Sequence, residues 1–361
     1  MKLNKLMRLL LPGLLSFSLA SEACTTLAIT DQKGDIFHGR TLEYSQESPY
    51  WMTYYPVGMS FVKKAPNGES GMQYSSKYAM LAITSTLTDI SEKDVVEGMN
   101  SAGLSFSVNM INNADLATLP EEHYKDALPV TSLGEWALAR FATVEEVAEA
   151  VKNGWFWSPT LSPTLSASGN QQAPFHYAFY DKKGGSIVVE ASNGKLHVYG
   201  NPTRVMTNGP EFPWHLTNLN NYTHLINEDH TSNTLGNIKI TQPDSGIAVA
   251  ALPSSDTSVG RFVRGVYYTT YAQKVSTSSE AVNTLAHIMN RFDRPKNITV
   301  YKLDSESEKK SKTVSEFTVW TALSDLSRGE LYVRTYNDIN YSKYSLSQYK
   351  EMKEPVFKKI M

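Results

Sequence analysis

Cysteine is almost missing from this chain: Cys24 is the one such residue among 361. An intrachain disulfide is therefore excluded. No cluster of Lys or Arg stands out and the formal net charge is −2, so the chain carries no electrostatic footprint for nucleic acid or for an anionic membrane. No low-complexity tract and no internal repeat is present. The eight histidines include no His-Glu-x-x-His pair, and His215, His224 and His230 have no metal-ligand spacing. No metal and no other cofactor is expected.

What is present begins at the N-terminus. Lys2, Lys5 and Arg8 precede an apolar run from Leu9 to Ala20, shorter than the roughly 20 residues a membrane-spanning helix requires. Ser21-Glu22-Ala23 then sets small residues at −3 and −1 of a cleavage site, the pattern of a secretory signal peptide. Residues 1–23 are read as a leader removed on export to the periplasm or the medium, and cleavage after Ala23 makes Cys24 the first residue of the mature chain. A lone cysteine is commonly a small buried hydrophobe, but at a processed N-terminus it has a chemical use. A free α-amino group titrates near 7.7–8.0, so it can take the proton of the thiol on its own residue. A rival reading is a lipid-anchored binding protein with an acylated Cys24, although charged Glu22 at −2 fits a lipoprotein signal badly.

Thr25–Thr30 reads as a strand, Asp31–Asp35 as a turn and Ile36–Leu42 as the returning strand. A two-residue loop at Gln32-Lys33 predicts Cys24 opposite Thr41, with Arg40 within reach of the thiol, where its charge would favour thiolate. The pattern alone also allows Arg40 to be a solvated strand residue. Further on, helices are predicted at Leu133–Phe141, Val144–Lys152 and Ser279–Phe292, the second opened by a capping box at Thr143-Val144-Glu145-Glu146. Strands are predicted at Phe175–Tyr180, Ser186–Ala191, Lys195–Tyr199, Phe317–Leu323 and Glu330–Tyr336. Strand runs interrupted by helix pairs fit an α+β chain with helices covering packed sheets, and no composition break divides residues 24–361 into two domains.

Five segments in order resemble the choloylglycine hydrolase and penicillin V acylase family: Cys24-Thr25, Gly39-Arg40-Thr41-Leu42-Glu43-Tyr44, Glu97 to Leu104, Val205 to Phe212, and Leu252-Pro253-Ser254-Ser255-Asp256 with Gly260-Arg261-Phe262-Val263-Arg264. The resemblance implies linear amide hydrolysis by an N-terminal nucleophile, a four-layer αββα sandwich of two antiparallel sheets, and a homotetramer. Carried over by position, the nucleophile falls on Cys24, the arginine beside the thiolate on Arg40, the oxyanion-side asparagine on Asn208 and a second arginine on Arg261. The family's aspartate, which contacts the α-amino group, is replaced here by Glu43, one methylene longer. An inactive family member is therefore the other alternative. Taken as strand residues, Arg261 and Arg264 would point to opposite faces. Asn109, which matches a family asparagine after a shift of one position, Asn112 and Trp51 are the candidate substrate-binding residues. Trp155, Phe156 and Trp157 are further candidates for an apolar acyl pocket. Conjugated bile salts, penicillin V and N-acyl homoserine lactones are the candidate substrates.

Overall fold

A computed structural model describes residues 23–88, 92–111, 114–162, 172–304 and 311–361. Of the leader, Ala23 alone is among them, and Asn112 lies outside the described residues.

Strand β1 (Cys24–Thr30) and strand β2 (Ile36–Tyr44) form the N-terminal hairpin. Both are buried along nearly their whole length, which requires a covering layer on each face. They lie in a six-stranded antiparallel sheet, in the order Val205–Met206, β1, β2, Phe317–Asp325, Glu330–Thr335, Ser342–Ser345. A second, eight-stranded antiparallel sheet runs Lys195–Gly200, Ser186–Ser192, Phe175–Asp181, Leu104–Met110, Asp94–Asn100, Met80–Ser85, Trp51–Tyr55, Val356–Lys359. One face of β1 and β2 packs on this second sheet through the 104–110 and 175–181 strands.

The described residues include five α-helices: α1 (Leu133–Arg140), α2 (Val144–Asn153), α3 (Phe212–Asn218), α4 (Ser258–Tyr271) and α5 (Ser278–Met289). Helices α4 and α5 cover the outer face of the six-stranded sheet, and α1 and α2 cover that of the other. The result is a four-layer αββα sandwich of two antiparallel sheets, as the resemblance implied. Close approach is built into it. A Cβ on Gly39 of β2 would lie 2.9 Å from Met289 of α5, and one on Gly134 of α1 would lie 2.2 Å from the Phe106 ring. Glycine there lets helix and sheet touch.

The local signals have structural counterparts. Thr277 and Glu280 form a reciprocal capping box at α5. At α2, Thr143 accepts from Glu146 N (3.3 Å), but the Glu146 carboxylate reaches one residue further back, accepting from Ala142 N.

Two expectations are corrected. The hairpin register pairs Cys24 with Leu42 and Thr26 with Arg40, so Cys24 does not face Thr41. The loop holds three residues, not two: Asp31 N donates to Asp35 O, and Gly34 takes the left-handed conformation at φ 88°, where glycine carries no steric cost. Arg261 and Arg264 are helical, not strand residues. Thr257 accepts from Gly260 N and caps α4, and residues three apart on a helix share a face. Both side chains are accordingly buried.

Candidate active site

The observed register decides which residues share a face with the thiol. Cys24 and Thr26 on β1 and His38, Arg40 and Leu42 on β2 project towards the second sheet, because paired residues lie on the same side and the side alternates along each strand. Thr25, Thr41 and Glu43 project the other way, towards α4 and α5.

On the thiol's side, Cys24 is 1% exposed and Arg40 Nη2 lies 3.8 Å from its Sγ. Arg40 is itself 1% exposed. Its Nη1 donates to Val96 O and lies 3.7 Å from Glu97 Oε2, and its guanidinium sits 5.0 Å from the Trp320 ring centroid. A buried cation held on several sides presents a fixed positive charge to the sulfur.

On the other side, Arg261 of α4 donates through Nη1 to Cys24 O and Thr25 Oγ1, through Nη2 to Asn208 Oδ1 (2.8 Å), and through Nε to Asp256 O. Burial lowers its pKa from the ordinary arginine value, while Glu43 opposes that shift. Cys24 N donates to the same Asn208 Oδ1 at 2.8 Å. Two donors fix the amide's orientation, since arginine has no acceptor. Nδ2 then donates to Met110 O (2.8 Å), which leaves its second hydrogen for another oxygen. The segment carrying Asn208 is tied down throughout. Asn208 N donates to Ser258 Oγ and His215 Nε2 donates to Asn208 O. His176 Nε2 and Asn109 Nδ2 both donate to Thr207 O.

Glu43 stands where the family's aspartate contacts the α-amino group; here the Cys24 nitrogen meets Asn208, and Glu43 Oε1 accepts from Thr318 Oγ1 at 3.0 Å. Burial pushes the Glu43 carboxyl up to about 7, with Arg261 the leading opposing influence. The backbone of Glu43 stays beside the nucleophile, its N donating to Ala23 O at 2.9 Å.

Cys24, Arg40 and Asn109 open onto one cavity of about 530 Å³, its open mouth included. The remaining wall is mainly apolar or aromatic, with Leu42, Tyr44, Tyr50, Leu87, Met110 and Phe175 prominent. Among the described residues, Arg40 is its one formally charged lining residue. Asn109 Oδ1 has no partner among the described residues, so the wall keeps a buried acceptor there. The tryptophans are not part of this wall. Trp51 lies under the Lys93 ammonium (4.7 Å), Trp155 stacks on His123 at the surface, Trp157 Nε1 donates to Lys64 O, and Phe156 packs on Trp136. Tyr50, one residue before Trp51, takes the place expected of it.

Sequence reasoning also missed a buried cluster behind Arg40. His38 Nε2 lies 2.7 Å from Thr26 Oγ1 and 3.0 Å from Ser107 Oγ, and Ser107 Oγ donates to Glu97 Oε2. The signal was the i, i+2 spacing of His38, Arg40 and Leu42 on β2, which becomes readable once the register is known.

The arrangement can generate a nucleophile. A thiol beside a fixed cation, a nitrogen held by an amide oxygen, and an apolar chamber opening at the sulfur suit attack on a carbonyl whose acyl group enters that chamber.

Comparison with known proteins agrees with this chemistry. The model of a family described as linear amide C–N hydrolases, choloylglycine hydrolase family, matches residues 24–356. The chain is 28% identical to a bile salt hydrolase/transferase of Clostridium perfringens over 324 residues, covering 88% of this chain and 91% of the relative. Among solved structures, a conjugated bile acid hydrolase variant from Clostridium perfringens superimposes with a TM-score of 0.78 at 25% identity, covering 94% and 97% of the two chains. The penicillin V acylase of Agrobacterium tumefaciens gives 0.67 at 22% identity, covering 91% and 87%, a likeness of fold. The chain belongs to the choloylglycine hydrolase family and is a hydrolase of linear amide C–N bonds.

Proposed function

We propose that the protein is an exported N-terminal-cysteine amidase that cleaves an N-acyl amide through an acyl-thioester on Cys24. The observation that carries this reading is the placement of Cys24: its sulfur lines the cavity 3.8 Å from Arg40 Nη2, while its nitrogen lies 2.8 Å from Asn208 Oδ1.

Removal of residues 1–23 turns the Cys24 nitrogen into an α-amine. That amine takes the thiol proton, and Arg40 stabilises the thiolate. The thiolate attacks the amide carbonyl, and the second Nδ2 hydrogen of Asn208 stabilises the oxyanion. Arg261 keeps the Asn208 amide turned so that this hydrogen is available. Collapse breaks the C–N bond, and the departing amine takes the proton from the α-amine. Water, deprotonated by the same amine, then attacks the thioester carbonyl and releases the carboxylic acid, returning the thiol. Glu43 stands behind this group on the helix side of β1, where Arg261 is its electrostatic partner.

The apolar wall suits the acyl half, and the charged or polar amine half remains at the mouth. The relatives named for bile salts, with the likeness to a penicillin V acylase, make conjugated bile salts and penicillin V the first substrates to try, followed by N-acyl homoserine lactones. Asn109, with its unpartnered Oδ1, is the polar contact offered inside the chamber. Asn112, which lies outside the described residues, is a substrate-side candidate too. Cys24 is 1% exposed, so a lipid on its sulfur would be held inside the protein rather than presented to a membrane, which favours the amidase over the lipid-anchored alternative.

Export belongs to this reading and is checked by fractionation and by the intact mass of the mature chain, which should begin at Cys24. So does the homotetramer. Leu235, Ile238 and Ile240 stand exposed on the Ser232–Thr241 hairpin, apolar surface of the kind that assembly covers, and sedimentation of the mature chain reads it. The deciding experiment is a hydrolysis panel on the mature protein. Amine release from one substrate class, lost in Cys24→Ala, supports the proposal; release that survives Cys24→Ala sinks it.

A further inference from the structure

We propose that Glu97 is a positioning residue for Cys24, its carboxylate setting how much of the Arg40 charge reaches the thiol. The inference rests on the reading of Cys24 as the nucleophile.

The geometry is a row of three groups. Arg40 Nη2 is 3.8 Å from Cys24 Sγ, and on the same guanidinium Nη1 is 3.7 Å from Glu97 Oε2. Every member is 1% exposed, so water screens their interactions little. A guanidinium is a permanent cation. An ionised Glu97 cancels part of its field at the sulfur, and a neutral Glu97 leaves that field whole.

The surroundings of Glu97 favour neither state outright. Ser107 Oγ on the 104–110 strand donates to Oε2, and the Gly98 N–H supports the same carboxyl. From β2, His38 Nδ1 lies 3.4 Å from Oε1 and Arg40 faces Oε2. From the 175–181 strand, the buried Tyr180 hydroxyl acts on Glu97 electrostatically and is itself pushed up by burial. Burial raises the Glu97 carboxyl to about 8, with Arg40 and Ser107 opposing the shift. Burial and Arg40 together hold His38 down to about 3, so its imidazole stays neutral and can switch tautomer. Its Nδ1 faces Glu97 Oε1 at 3.4 Å without a hydrogen bond among the described residues, so neither tautomer fixes the protonation of Glu97. In either state its Nε2 contacts Thr26 and Ser107.

Glu97 and Cys24 therefore titrate against one another through Arg40. Each anion formed makes the other harder to form, which broadens the titration of both.

The test uses the one cysteine of the mature protein. Its alkylation rate with iodoacetamide is measured from pH 5 to 10 in the wild type and in Glu97→Gln, beside kcat and KM on the substrate the panel identifies. The wild-type profile should be broader than a single titration. In Glu97→Gln it should narrow to one titration and move to lower pH, by on the order of one pH unit. The kcat profile should shift likewise while KM holds. Profiles that coincide in midpoint and breadth overturn the proposal. Should Glu97→Gln not accumulate as folded protein, Ser107→Ala is read instead. Loss of its donor raises the Glu97 pKa, so Glu97 stays neutral over more of the range and the alkylation midpoint should move to lower pH, as in Glu97→Gln. An unmoved profile again overturns the proposal. Failure of the underlying reading looks different: hydrolysis would persist in Cys24→Ala, whatever the alkylation profiles do.

Discussion

Arg261 holds the carbonyl of Cys24 from the face of the sheet opposite the one on which Arg40 meets its thiol. The backbone and sulfur of Cys24 are thus each held by a buried guanidinium, one carried by α4 and the other by β2. The first also binds the Asn208 side chain that receives the Cys24 N–H. The Cys24 backbone, its nitrogen and the Asn208 amide share one set of contacts, and the thiol has its own.

Arg40→Ala should expose that separation. It removes the cation 3.8 Å from Sγ, so the pH at which Cys24 alkylates should rise by about one unit, and kcat/KM near neutrality should fall on the order of tenfold. An unmoved alkylation profile would mean that Arg40 does not act on the sulfur.

Arg261→Met is expected to act on stability as much as on rate. Cys24 O and Asn208 Oδ1 would each lose a charged donor inside the protein, at a cost of roughly 3 kcal/mol. Urea denaturation should report that loss. The turnover of whatever stays folded should drop as well, since Asn208 could then turn its amide. Wild-type stability in this variant would refute the structural role.

Glu43 makes stability depend on pH in a direction opposite to that of a salt-bridged carboxylate. Its folded pKa is raised from 4.5 to about 7, so the native state holds a proton that the unfolded chain has already lost. The contribution is full below the unfolded value and is lost as pH rises through the window from about 4.5 to about 7. Asp94, raised to about 7 by burial, has the same sign. Comparing Glu43→Gln with the wild type isolates one group. The variant should show a shallower fall in stability across that window, by roughly 1–3 kcal/mol, measured by urea midpoints at pH 5 and 8. Parallel pH curves would contradict this account.

Gly134→Ala tests the helix-on-sheet contact. The added methyl would meet Phe106 at 2.2 Å, too close for the ring to absorb without displacing the strand that also carries Ser107 and Asn109. Overpacking of this kind costs roughly 1–3 kcal/mol. Thermal unfolding should register it, and an unchanged midpoint would show that α1 can draw back.

Much of the local structure was legible in the chain. The charged start, short apolar run and small residues before Cys24 predict a leader without reference to any fold. Alternation and turn residues located the strands at Phe175, Ser186, Lys195, Phe317 and Glu330 to within about two residues, because those signals depend on neighbours in sequence. The ordered motifs gathered the same residues that the structure groups around Cys24: Arg40, Asn208 and Arg261.

What the tertiary structure alone decided is which way those residues face. The hairpin loop could be counted as two residues or three, and the choice moved the register by one and turned Arg40 to the thiol's side. The segment after Thr257 read as a strand until its packing on β1 made it a helix, with both arginines turned inward. Glu97 and Ser107 are partners on adjacent strands, but His38 comes from the other sheet, and no local pattern links it to them. Their chemistry exists because two sheets close over them and exclude water. Burial then makes each charge depend on its neighbours across the sandwich, a condition that a linear order of residues does not record.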